Sequence, residues 1–162
     1  MALPSIYRAL PAARRVALLT TLISARKDSR ALFIQRLVSR GGGFRAVTLM
    51  TWPAAKLASE IVRMNAQTAE DEIDLLQALY VDVEPAIQEA FLKAAGVKAE
   101  GAVIDEALEP PYAQAEAVAT AAALVHSEFG ENGMHYLRTI ARYNPSAWPG
   151  IEAVVAGLLP TA

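Results

Sequence analysis

Apolar side chains return every three or four residues through most of this chain, and glycine or proline interrupts them at short intervals. A three-to-four-residue period is the signature of helices that bury one face. The interruptions keep each helix short. Strands need apolar–polar alternation, and it is nearly absent. Val97 and Val103-Ile104, either side of Gly101, are the few short strand candidates. Alanine, the strongest helix former, occupies 33 of 162 positions. The fold expected is all-α: a compact single domain, residues 1–162, of about seven or eight short helices.

Local signals place the helices. Pro11 opens a segment to Ser24 with Val16, Leu19, Leu22 and Ile23 on one face. Asp28 is the expected N-cap of the next, which runs to Ser39 with Phe33, Ile34, Leu37 and Val38 as its apolar stripe, and Gly41-Gly42-Gly43 ends it. Pro53 opens a helix to Met64. Thr68-x-x-Asp71 has capping-box spacing and opens another to Tyr80. Pro85 starts a helix that stops at Gly96. Residues 97–113 read as a loop with one helical turn at Val103–Leu108. Helices are expected over 113–129, stopped by Gly130, over 132–143, stopped by Asn144-Pro145, and over 149–159.

The formal charge of −2 conceals a strong order. Residues 1–66 hold eleven cations and two acids, a net of +9, and form a basic half. Residues 67–130 hold thirteen acids and two lysines, a net of −11, and form an acidic part. Residues 131–162 balance. A break near Asn65–Gln67 reads as a boundary between surface zones. Three uses fit this pattern. The basic and acidic helices can neutralise one another within one molecule. They can pair between copies, since complementary potentials steer association. The basic half can face an anionic partner, nucleic acid included, although no helix-turn-helix, zinc pattern or aromatic–basic interleaving accompanies it. Arg14, Arg15, Arg30, Arg36 and Arg40 are the candidate basic contacts, and Glu70, Asp71 and Asp74 the acidic ones. The acids also sit at a helix N-terminus, where the dipole favours them.

Chemistry-bearing constellations are sparse. With no cysteine, disulfides, thiolate metal sites and cysteine nucleophiles are excluded. His126, Glu128, Glu131 and His135 concentrate imidazole and carboxylate within ten residues. A metal site would need ligands on one helix face, and His126 and Glu128 diverge by about 200° on the helical repeat. His135, Arg138 and Arg142 share a face at i, i+3, i+7. Trp52-Pro53 and Trp148-Pro149 each precede a helix, and the two tryptophans read either as core anchors that fix the helix entry or as candidate interface anchors. No cofactor is implied, no stretch is long and apolar enough to span a bilayer, and the chain is expected to be cytoplasmic. The expected function is a non-enzymatic helical protein–protein interaction, adaptor or regulatory module, self-association included. The alternatives are a small enzyme or metal-binding protein using the His126/His135 region, and nucleic-acid binding through the Arg-rich half.

Overall fold

The computed structural model describes residues 3–159. It is all-α, with nine α-helices among the described residues and one two-stranded hairpin. The chain divides into two compact units, Met1–Ala78 and Leu79–Ala162. Residues 67–78, which open the acidic stretch, therefore group with the basic residues before them.

The first unit contains α1 (Ile6–Ala9), α2 (Ala12–Ala25), α3 (Lys27–Ser39), α4 (Ala46–Met50), α5 (Ala54–Met64) and α6 (Glu72–Ala78). Helix α2 packs against α5 and α3, and α3 also packs on α4 and α5. The core joins Leu18, Leu19, Leu22 and Ile23 to Phe33, Ile34 and Leu37, and to Leu57, Ala58 and Ile61. Val38, expected in that core, lies on the surface instead. Asp28 is not the N-cap of α3. Arg26 holds that position in extended backbone, and Asp28 lies in the first turn, where its charge still meets the helix dipole favourably. Thr68 does form the expected capping box, its N–H donating to the Asp71 carboxylate at 2.7 Å. It opens a 3-10 turn, Ala69–Asp71, that leads into α6.

Helix α1 precedes the first helix expected from the sequence, and it depends on a distant residue. The Ser5 hydroxyl and the Ile6 N–H both donate to Glu72, the latter at 3.0 Å. Glu72 is buried, so these bonds offset the cost of removing its carboxylate from water. Beside it, Tyr7 is buried with no hydrogen-bond partner for its hydroxyl among the described residues. Burial raises the Tyr7 phenol from 10.0 to about 12; the Arg15 cation opposes the rise and Asp71 adds to it. The unfolded chain therefore releases this proton first. The neutral phenol's contribution to stability is intact below pH 10 and is lost as pH climbs from 10 towards 12, at up to about 1.4 kcal/mol per pH unit. Denaturant melts over this range should show that decline in the wild type and a smaller one in Tyr7→Phe. Parallel curves would contradict the assignment.

The second unit contains a π-helical turn (Leu79–Val83), α7 (Pro85–Ala94), β1 (Ala99–Glu100), β2 (Val103–Ile104), α8 (Ala115–Tyr143) and α9 (Ile151–Leu158). Helix α8 packs against α7 and α9. Aromatic edges dominate the core: Tyr136 meets Tyr80 at 4.9 Å and Phe91 at 5.5 Å, and Phe91 meets Trp148 at 4.9 Å. Residues 97–113 contain an antiparallel hairpin and not the helical turn expected at 103–108. Gly101, at φ 60°, takes the first central position of its two-residue turn, a site that primed hairpin turns reserve for glycine. The helices expected at 113–129 and 132–143 are two arms of α8, broken at Gly130, whose φ of 58° and ψ of −129° are non-helical. Among the described residues no helix is long and apolar enough to cross a membrane.

Candidate interaction surface

Most of the arginines picked out in the sequence tie the first unit together. The Arg15 Nε donates to Leu10 O at 3.1 Å, and its guanidinium lies 6.0 Å from the Tyr7 ring centroid. One nitrogen of Arg30 donates to Met50 O at 3.1 Å and to Trp52 O at 2.6 Å, placing a cation on the carbonyl end of α4. Arg36 donates to Thr68 Oγ1 at 3.1 Å and pairs with Asp71. Arg40 donates to Asn65 O at 2.7 Å, where α5 ends in left-handed backbone. Arg14 is half-buried and also engaged. These bonds pin loops and helix ends, and they leave fewer guanidinium groups for a phosphate backbone than the sequence implied. Glu70 and Asp74 are exposed, while Asp71 is half-buried against Arg36.

The two histidines lie on different arms of α8. His135 is buried, with Nε2 3.9 Å from Glu131 Oε1. His126 lies on the other arm of α8, with Nδ1 buried and without a hydrogen-bond partner among the described residues. Among the described residues no three His, Asp or Glu side chains come together as metal ligands do. Arg138 and Arg142 are half-buried. Trp148 is a core residue, 3% exposed, packed on Phe91 and Tyr112. Trp52 is half-buried, edge-on to Phe44 at 5.4 Å, with Lys56 Nζ 4.1 Å from its ring centroid.

What the structure does assemble is a groove. Lys27, Arg30, Ala31, Ile34, Gln35 and Val38 recur along α3 at i, i+3, i+4, i+7, i+8 and i+11, so they share one stripe. Ala46 and Met50, one turn apart on α4, form the facing wall. The cleft between them has a volume of about 470 Å³. Its lining is mostly apolar, and Met50 within it is 66% exposed; Val47, on the same short helix but outside the lining, is 76% exposed. Lys27 lies in the first turn of α3 at one end of the stripe, and Arg45 stands exposed just before α4.

No protein-family model, curated protein or solved structure matches this chain. The groove must therefore be read from its own chemistry. Of its lining, Arg30 alone is among the candidate contacts that the sequence offers. The stripe is visible in the sequence, but Ile34 belongs both to it and to the core face of α3, so periodicity merges the two. The short α4, which makes the second wall, carries too few residues to show a period.

The division of charge also sharpens. The first unit holds eleven cations and six acids, a net of +5; the second holds four cations and eleven acids, a net of −7. Some opposite charges meet inside the first unit, as Arg36 and Asp71 do, and most of the imbalance remains on each unit. In the second unit the acids concentrate at and beyond the hairpin. Asp105 accepts the Ala107 N–H at 2.9 Å and pairs with Lys98 at 3.2 Å. The backbone bond first, and then Lys98, hold its carboxyl below the usual carboxylate range.

Proposed function

We propose that this chain is a non-enzymatic helical interaction module, and that the α3–α4 groove is its binding face for a polypeptide segment carrying carboxylates beside apolar side chains. The observation that carries this reading is the open apolar groove with Lys27 at its end and Arg45 nearby. Exposed apolar clefts rimmed by polar groups mark interaction sites more often than scattered surface hydrophobes do. The apolar floor supplies affinity through burial, and the cations select an acidic partner and speed its encounter. An adaptor or regulatory role follows from binding without chemistry. The engagement of Arg15, Arg30, Arg36 and Arg40 in internal bonds favours this reading over nucleic-acid binding.

Fluorescence anisotropy tests it with two labelled peptides, one of leucine and glutamate and one of leucine and lysine. The acidic peptide should bind the wild type, more weakly as salt screens the charges. Met50→Asp should weaken it by about tenfold or more, equivalent to about 1.4 kcal/mol, with an unchanged melting curve because Met50 is exposed. Equal binding of both peptides, or of neither, would count against the groove.

A further inference from the structure

We infer that the occupant of the groove is the acidic hairpin segment, residues 100–109, of a second copy of this chain. The inference rests on the groove being a binding face and names what fills it. Between Glu100 and Glu109 the chain carries Glu100, Asp105, Glu106 and Glu109 with no cation among them. Apolar side chains stand beside those acids in the open: Val103 is 55% exposed and Leu108 is 38% exposed. This is the complement of the groove, which offers a mostly apolar lining with Lys27 at its end, and exposed Arg45 directly precedes Ala46 of its second wall.

The segment is also held in shape before it binds. Its turn is fixed by Gly101 and by Gln88 Nε2, which donates to Ala102 O at 2.5 Å. Beyond β2, the Asp105 bonds to Ala107 and Lys98 fix the next turn. A preformed segment loses less entropy on docking than a floppy one. Lys27 and Met50 of the groove, and Val103 and Leu108 of the segment, are exposed. Each copy offers one groove and one hairpin. The contact joins unlike surfaces, so copies exchange hairpins reciprocally in a two-fold dimer or repeat the contact in a larger ring or a filament.

Sedimentation velocity on the full chain, with charge reversals, tests this. At low salt the wild-type mass should rise above the 17.3 kDa monomer with concentration and return to it at high salt. Lys27→Glu with Arg45→Glu should stay monomeric. Lys27→Glu leaves folding intact, because an acid suits the first turn of α3. Glu106→Lys with Glu109→Lys should also stay monomeric. Each reversal sets like charges face to face and should weaken association by about tenfold or more. A mixture of the two double variants should assemble again, because each reversed groove then meets a reversed hairpin. Circular dichroism checks that all variants are folded. A wild type that stays monomeric at low salt and high concentration overturns the inference, and so does assembly that mixing fails to restore. If the acidic peptide still binds in either case, the groove reading stands and only the occupant changes. If it does not, both fall.

Discussion

Replacing Trp148 with alanine is expected to lower the unfolding free energy by about 3–5 kcal/mol, the usual cost of truncating a buried large aromatic. Trp148 is 3% exposed. Its ring meets Phe91 edge-on at 4.9 Å and Tyr112 at 5.4 Å, and Phe91 continues to Tyr136 and Tyr80. Removing the indole leaves a cavity at the end of this chain of rings, and edge-to-face contacts that neighbouring atoms cannot replace are lost. The backbone around it is equally committed: Tyr112 N–H donates to Ala147 O and Ile151 N–H to Trp148 O, both at 3.1 Å. A loss of this size approaches the whole stability of an ordinary domain. Urea melts followed by circular dichroism should show a large fall in midpoint, with Trp148→Phe recovering part of it. The half-buried Trp52 should cost much less when truncated. An unchanged midpoint for Trp148→Ala would mean that the indole is an interface anchor, as its place before a helix first allowed, and not a core residue.

The contrast between the two tryptophans shows what the sequence carries and what it does not. Both stand in Trp-Pro units before a helix, so their local signals are the same. What separates them is the partner each meets, Phe91 from α7 for Trp148 and Lys56 from α5 for Trp52. Several helix boundaries are legible because they rest on local chemistry: Pro85 at the start of α7, the Thr68–Asp71 capping box and the glycine at position 130 that breaks α8. The destinations of the charges are not. Glu72 bonds Ile6 across 66 positions and Arg36 bonds Asp71 across 35, and no periodicity encodes such pairings. The helix dipole favours every acid around the start of α6, while Asp71 and Glu72 are fixed in addition by Arg36 and by Ser5 and Ile6. The groove was hidden for a related reason. Val38 continues the apolar spacing of α3, so it reads as core until α4 is seen to leave its side open.

Gly133→Ala should be the other severe substitution, because a methyl group there has no room. In a straight helix, residues eight apart are about 12 Å apart along the axis. The break at Gly130 instead brings Gly133 onto Val125 of the preceding arm. A Cβ at Gly133 would stand 2.5 Å from Val125 O and 3.0 Å from its Cγ1. The obstacle is a backbone carbonyl, which cannot rotate aside as a side chain would. Either the arms of α8 separate or the break deforms. Both disturb the buried run Val118, Ala121, Ala122 and Val125 on one arm and Met134, Tyr136 and Leu137 on the other. Overpacking of a close-packed interior costs about 1–3 kcal/mol, and a contact this short against backbone belongs at the upper end or beyond. Two controls separate the causes. Gly130→Ala meets nothing within 4 Å but forces an L-residue into positive φ, which should cost about 1–3 kcal/mol as backbone strain alone. Gly157→Ala lies within α9 with open space around it and should raise stability by about 0.5–1 kcal/mol. The expected order of urea midpoints is Gly157→Ala above wild type, then Gly130→Ala, then Gly133→Ala. If Gly133→Ala melts with the wild type, the two arms do not approach through this glycine.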